Sequence, residues 1–284
     1  MKYVFIKTHS KQFSITLMCQ LFKVSRSGFY AYCTRPLSSR QRANEELDKK
    51  ISTIFKDHKK RYGSPRITRV LKSHNEHCSH TRVARRMKEM GLVAVAKKKF
   101  KVTTDSEHHL PVYSNVLNRD FSTTSINQKW ACDITYIRTQ EGWLYLAVVI
   151  DLYSRAVIGW SMSKRMMKSL VCDALMMALF KRKFPKNVIV HSDRGSQYCS
   201  KKYQTILKDY RLIGSMSRKA NCWDNAIAES FFHTLKVELV HECIYTTRDQ
   251  AKLSLFQYLE VYYNKIRMHS AIDYSTPFEF ELVA

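Results

Sequence analysis

Trp130-Ala-Cys-Asp-Ile-Thr-Tyr-Ile137 and Val188-Ile-Val-His-Ser-Asp193 decide the fold. Both are apolar, β-branched runs of strand length, and each carries an aspartate: Asp133 inside the first, Asp193 at the end of the second. A carboxylate in an otherwise apolar strand is costly to bury unless a cation or a buried partner compensates it. A third carboxylate, Glu229, lies in a helical run with 35 residues between it and Asp193, and Lys236 follows seven residues later. Three converging carboxylates make a hard-oxygen site suited to Mg²⁺ or Mn²⁺.

Outward from these stretches, the order of elements is that of an α/β fold. Strands are expected at 129–138, 143–151 and 155–162, with a turn at Glu141-Gly142 and a break at Ser154. A helix at 165–182, a strand at 187–192, a helix at 200–209 and a strand at 211–216 follow. Helices at 222–240 and 247–264 close the chain. Three antiparallel strands, then helix–strand–helix–strand and C-terminal helices, predict a ribonuclease-H-like core with a mixed five-stranded sheet. In that order the first and fourth strands are neighbours, so Asp133 and Asp193 come together and a helix across the sheet supplies Glu229. Two metal ions about 3.5–4 Å apart can share such ligands and polarise the attacking and leaving oxygens of a phosphodiester.

On the Glu229 helix, Asn225, Glu229 and Lys236 share one face, while Ile227, Phe231 and Leu235 mark another that can enter the core. Lys236 stands ~10 Å along the axis from Glu229, too far to ligate the same ion but placed to hold a neighbouring phosphate. A lone Glu/Lys face would ordinarily be solvated surface; the two aspartates overturn that reading. His191 and Ser192 read as the end of a strand, Asp151 as a turn residue, Asp224 as a helix-start residue, and Trp130 and Trp143 as core.

The N-terminal part is helical and basic. Residues 14–34 read as helix–turn–helix with Ser25 as cap, and 41–59 as a charged helix with an Ile51/Ile54/Phe55/His58 stripe. Residues 64–92 repeat the pattern, with Ser64 and Ser79 as caps and Gly91 as terminator. Arg82, Arg85, Arg86 and Lys88 lie beside a Val83/Met87/Met90 stripe, which suits a helix docked on a core with its cations toward phosphate. Residues 97–128 read as a basic linker. The expected division is an N-terminal helix–turn–helix-like segment at 1–40, a basic DNA-binding domain at 41–100, a linker at 101–128 and a catalytic domain at 129–284.

Charge supports that division. Of the net +24, residues 1–110 carry +17 (25 Lys and Arg against 8 Asp and Glu) and residues 111–284 carry +7 (23 against 16). That is the electrostatic footprint of a nucleic-acid binder joined to a more ordinary globular enzyme. With 45% hydrophobic residues the chain can build real cores, which excludes global disorder. No C-x-x-C pair occurs among the eight cysteines, and no apolar run reaches membrane-spanning length, so a cytoplasmic protein with reduced thiols and no membrane partner is expected. His74-Asn-Glu-His77-Cys78-Ser-His80 has zinc-ligand types but no second pair, and reads better as a polar turn.

The chain resembles the transposases of bacterial insertion sequences in the IS-three (IS3) family, specifically their second-reading-frame product. The likeness is carried by Trp130-x-x-Asp133-Ile-Thr-Tyr136, Tyr145-Leu-Ala-Val-Val-Ile-Asp-Leu-Tyr-Ser-Arg155 and His191-Ser-Asp-Arg-Gly-Ser-Gln-Tyr198. It continues in Ser217-Arg-Lys-Ala-Asn-Cys-Trp-Asp-Asn-Ala226, Glu229-Ser-Phe-Phe232, Leu235-Lys236 and Tyr263-Asn-Lys-Ile-Arg-Met-His269. Tyr62-Gly-Ser-Pro-Arg66 and Arg82-Val-Ala-Arg-Arg-Met87 look like the family's helix–turn–helix segment. The resemblance implies a DDE integrase core with Asp133, Asp193 and Glu229 as catalytic metal ligands for two Mg²⁺ or Mn²⁺ ions. It also implies copy-out, paste-in transposition and frameshift fusion to an upstream-frame product. Expected partners are double-stranded DNA, both terminal repeats and target, and further copies of the chain on that DNA, in the bacterial nucleoid. Expected DNA contacts are Lys236 and Asn225 beside the carboxylates, Arg267 and His269 in the C-terminal motif, and Arg82, Arg85 and Arg86. Ala220 stands where the family pattern has Gly, so strain in the approach to the Glu229 helix is expected.

Two rivals remain at the level of sequence. A structure-specific nuclease of the same fold would hydrolyse without joining strands. A catalytically silent regulator would bind DNA without metal, and an intact carboxylate triad counts against it.

Overall fold

The computed structural model describes residues 2–36, 38–95, 111–218 and 221–283. The loop position Ala220 and the basic run Lys97–Lys99 lie outside the described residues. The sheet has the order β3-β2-β1-β4-β5, from β1 (Lys129–Thr139), β2 (Gly142–Asp151), β3 (Val157–Ser163), β4 (Ile189–Ser192) and β5 (Ile213–Met216). β1 pairs antiparallel with β2 and parallel with β4, and β5 adds parallel to β4. This is the mixed sheet of a ribonuclease-H-like core.

Each face of the sheet is covered, so both sides of the central strands are apolar. Cys132, Ala147 and Val149 point to the face packed by α7 (Lys168–Lys181) and α8 (Lys201–Asp209). Ala131, Ile137, Leu146, Val148 and Ile150 point to the face packed by α9 (Ala226–Glu238) and α10 (Arg248–Phe256). Gly159 brings α7 down onto β3, since a Cβ there would sit 2.2 Å from the Ala174 carbonyl oxygen. Residues 111–128 lie against this core rather than apart from it: Leu117 is buried, and Tyr113 packs on the α7 side.

Several boundaries differ from the sequence reading. β3 begins at Val157 because Arg155 takes a positive φ of 64° in the turn after β2. The expected helix at 222–240 opens as a 3₁₀ turn (Cys222–Asn225) before α9. The expected helix at 247–264 is α10 followed by a π-helical stretch, Gln257–Tyr263, whose wider turn keeps Tyr258, Leu259 and Tyr263 all buried. An additional helix, α1 (Lys2–His9), precedes α2 (Ile15–Leu21) and α3 (Arg26–Thr34), and the three close over Ile6, Met18, Cys19 and Phe29.

The second helical unit is α4 (Ser39–Asp57), α5 (Ser64–Ser73) and α6 (His80–Glu89), packed on Ile51, Phe55, Ile67, Leu71 and Val83. Ser25 and Ser79 cap α3 and α6. Ser64 does not cap α5: Gly63 is the cap residue, and the Ser64 hydroxyl instead bonds His80 Nε2 at 2.9 Å. The unit is docked on the C-terminal elements of the core. Arg61 Nε donates to the Glu238 carbonyl at 2.9 Å, and the Tyr62 hydroxyl accepts from Met268 N at 3.0 Å. No helix among the described residues is long and apolar enough to cross a membrane.

Candidate active site

Register places the first two carboxylates. In the parallel β1–β4 ladder Ala131 faces His191, so Asp133 and Asp193, each two residues further on, fall at the same level on adjacent chains. Adjacent strands lie about 4.8 Å apart. β4 ends at Ser192, and Asp193 turns away from the sheet, its Oδ1 accepting from Gly195 N at 2.9 Å. Gly195 suits that turn, because a Cβ there would stand 3.0 Å from the same oxygen. His191, just before, is buried between Ser215 and Ser217, and burial lowers its pKa to about 4. It is therefore a neutral strut at neutral pH, within the last residues of β4.

Because β4 stops early, β1 continues with no strand beside it among the described residues. Its pairing with β4 ends at Ala131, and the next bridge on that side joins Thr139 to Tyr245. A cleft of about 510 Å³ occupies this open edge, lined by Asp133, Tyr136, Trp143, Tyr145, Met166 and Asp193 among others. The Asp133 carboxylate accepts from Ile134 N at 2.8 Å, so it satisfies one backbone donor that a neighbouring strand would have taken.

Burial pushes the Asp133 carboxyl well above the usual carboxylate range, and the charge of Asp193 pushes it further. Glu229 adds a smaller upward push, while Lys236 opposes it. Glu229 sits in the first turn of α9, exposed toward solvent, with its own pKa raised by desolvation. Thus Asp133 and Asp193 meet, and Glu229 acts on Asp133 from the more exposed α9. Among the described residues no three His, Cys, Asp or Glu side chains are gathered closely enough to chelate one ion. The donor chemistry nevertheless fits a hard cation: two neighbouring carboxylates repel each other, and a divalent ion removes that repulsion.

Lys236 is half-buried on α9, its Nζ 5.0 Å from the centre of the Tyr136 ring; burial lowers its pKa, and Tyr136 and Asp133 oppose that shift. Asn225 is buried, its Nδ2 donating to the Cys132 carbonyl at 3.2 Å, which ties the start of α9 to β1. Asp224 is fully buried and accepts from Arg218 Nε and Nη2 (2.9 and 2.8 Å), Arg119 Nε (2.8 Å) and Asn115 Nδ2 (2.9 Å). The Arg218 bonds hold its carboxyl well below the usual range. Asp224 is thus a lock at the helix start where its reading put it, though no local signal announces that Asn115, Arg119 and Arg218 converge on it.

The other expected DNA contacts are dispersed. Arg267 is buried and paired with Glu238, Nε to Oε2 at 2.9 Å, so it faces protein rather than solvent. His269 is packed near it, with burial first and then the Arg267 charge lowering its pKa to about 3. On α6, Arg82 is held by Asn44 (Nη2 to Oδ1, 2.8 Å) and Arg86 by Asp48 (Nε to Oδ1, 2.7 Å), both on α4. Arg85 points outward, 54% exposed. Trp130 is core, but Trp143 is not: it is 45% exposed at the cleft, because its partner on β1, Arg138, lies beyond the helix-covered part of that face. His74–Ser79 is the turn between α5 and α6, with Asn75 at φ 60°, and His80 opens α6.

Three family matches divide the chain: an HTH-like domain over residues 41–100, and integrase core domains over 124–222 and 229–282. Transposase InsF for insertion sequence IS3A of Escherichia coli K12 is 50% identical over 99% of this chain and 98% of its own length. The IS600 uncharacterized 31 kDa protein of Shigella sonnei is 42% identical over 93% of this chain and 97% of its own. Among solved structures, the HTLV-2 integrase catalytic core domain in complex with magnesium covers 55% of this chain and 97% of its own, at 17% identity and a TM-score of 0.43.

Proposed function

Since this chain belongs to the IS3 family of insertion-sequence transposases, a family of DDE-type recombinases, we propose that Asp133, Asp193 and Glu229 are its catalytic ligands, holding two Mg²⁺ or Mn²⁺ ions. The reaction is DNA cleavage at the element's 3′ ends, followed by strand transfer. In the first step a water oxygen bonds to phosphorus and the 3′ oxygen leaves. In the second, that 3′-hydroxyl attacks another phosphodiester and displaces its 3′ oxygen. Bound divalent ions supply the polarisation of attacking and leaving oxygens.

The observation that carries this reading is the placement of Asp133 and Asp193 side by side on the open edge of β1, each charge opposing the other. Asp133 supplies a ligand from β1 and Asp193 another from the turn that follows β4. Glu229 closes the set from α9, held in place by Asp224 and Asn225. Lys236 grips the phosphate beside the scissile one. Of the helical unit's cations, Arg85 is placed to meet DNA, whereas Arg82 and Arg86 orient α6 against α4. The chain works in the bacterial cytoplasm at the nucleoid, as several copies on double-stranded DNA, alone or fused to an upstream-frame product.

The test is a strand-transfer assay on labelled terminal-repeat duplex with Mg²⁺, comparing the wild type with Asp133→Asn, Asp193→Asn and Glu229→Gln. Each variant should lose nicking and joining while keeping DNA affinity, since charge is removed with little change of volume. A variant with more than a few per cent of wild-type activity would strike that residue from the ligand set. Nicking without joining by the wild type would make the chain a nuclease.

A further inference from the structure

The cleft has two kinds of wall. One is the carboxylate pair; the other is aromatic, and the chemistry proposed for the carboxylates leaves it without a role. Trp143 is 45% exposed, although an indole is among the side chains with most to gain from burial. Its ring meets Tyr136 edge to face, centroids 5.0 Å apart at 83°, and Tyr136 lies across the ladder from Tyr145. Lys236 Nζ stands 5.0 Å from the centre of the same Tyr136 ring. Arg248 Nε donates to the Trp143 carbonyl at 3.1 Å and fixes the start of β2. A rigid aromatic platform and two metal-type carboxylates therefore line one groove along a strand edge, with a cation 5.0 Å from the centre of one of its rings.

We propose that Trp143, backed by Tyr136, is a stacking site for an unpaired nucleobase next to the scissile phosphodiester, with Lys236 on the adjoining phosphate. This rests on the reading of Asp133 and Asp193 as the reaction centre. The net charge of +24 makes a polyanion the partner, and the groove is continuous with the carboxylates that address its backbone. Every base offers a π face, so stacking here is tolerant of sequence and loses roughly 10- to 100-fold in affinity when the aromatic ring is removed. A base still paired within a duplex has both faces covered by its neighbours. The site therefore selects DNA whose end has opened, and it holds the backbone in place while the carboxylates act.

The full chain is mixed with terminal-repeat duplexes carrying 2-aminopurine at each of the last few positions of either strand, without divalent metal. One position should change fluorescence on binding. Trp143→Ala and Trp143→Leu should abolish that change, and Trp143→Phe should restore it. Joining in Mg²⁺ should fall about 10- to 100-fold in the Ala and Leu variants. An abasic site at the responding position should make wild type and Trp143→Ala equal. The same fluorescence change in wild type and Trp143→Ala, or equal behaviour of the Leu and Phe variants, would overturn stacking. If the carboxylate reading fails instead, the wild type joins no DNA in Mg²⁺, while the metal-free signal still reports on Trp143.

Discussion

Replacing Arg267 by Met tests whether this cation serves the fold or the DNA. Arg267 and Glu238 are 5% and 8% exposed, joined by Nε to both carboxylate oxygens (3.0 and 2.9 Å) and by Nη2 to Oε1 (2.9 Å). Burial alone would lower the Arg267 pKa, but the Glu238 charge overrides it and holds the guanidinium above its ordinary value. Removing one member of such a buried pair costs about 3–5 kcal/mol, because the other charge is left in a poorly solvating interior. Here Glu238 keeps the Tyr258 hydroxyl at 2.9 Å and Arg66 at 3.7 Å, so the lower end, about 3 kcal/mol, is expected. Equilibrium urea unfolding followed by tryptophan fluorescence should show the core transition at lower denaturant in Arg267→Met. The double variant Glu238→Leu, Arg267→Met should recover part of the loss, since the buried carboxylate is gone, although Arg66 and the Tyr258 hydroxyl then lose their partner. An unchanged midpoint with a reduced salt dependence of DNA binding would refute this reasoning and return Arg267 to the DNA.

Lys236→Ala should raise the DNA concentration needed for half-maximal strand transfer by roughly 10-fold, the worth of one charge-assisted hydrogen bond, with the metal requirement unchanged and Lys236→Arg largely competent. Superimposable curves for the three proteins would make Lys236 mere surface. For His269, the folded state takes its proton near pH 3 and the unfolded state near 6.5, so stability is intact above about 6.5 and drains away as pH falls toward 3. His269→Gln should flatten the urea midpoint across that window, and a slope equal to wild type would show that other groups set it. Asp224→Asn should lower strand transfer about 10-fold or more while leaving DNA affinity near wild type, because it loosens the entry to α9 and hence the placement of Glu229. A parallel loss of affinity would instead make the Arg119–Arg218 pair the element that Asp224 serves.

Much of this molecule is legible in its sequence because the signals are local. The strand runs around Asp133 and Asp193 carry apolar, β-branched patterns, and their order places them on neighbouring strands, so their proximity needs no further knowledge. What the sequence does not carry is where each cover stops. Trp143 has the composition of a core residue and alternates with buried neighbours; that α7 and α8 fail to reach its end of the sheet is a tertiary fact. Arg267 reads as one more cation in a basic chain until Glu238, 29 positions earlier, is seen beneath it. Arg82 and Arg86 share their helix with Arg85, and only the position of α4 separates the two that bond across to it from the one whose ion pair, with Glu89, stays on its own helix. The π-helical stretch likewise depends on three residues being drawn inward together, which no helical period predicts.

The edge of β1 beyond β4, which has no strand beside it among the described residues, has a consequence outside catalysis. A row of backbone donors and acceptors with no strand beside it is a template for another polypeptide, and proteins guard such edges with charge. Here the guard is a set of charged side chains: Asp133 turns its carboxylate onto the edge, Asp193 stands at its foot, and Lys236 lies close by on α9. Nucleic acid seated in the cleft would shield the same edge. The Asn substitutions that silence the carboxylates therefore also lower the barrier to edge-to-edge self-association, most of all in protein kept free of DNA and metal. Light scattering on Asp133→Asn and Asp193→Asn should show growth of large species that the wild type resists, and equal scattering would show that α9 suffices as a guard.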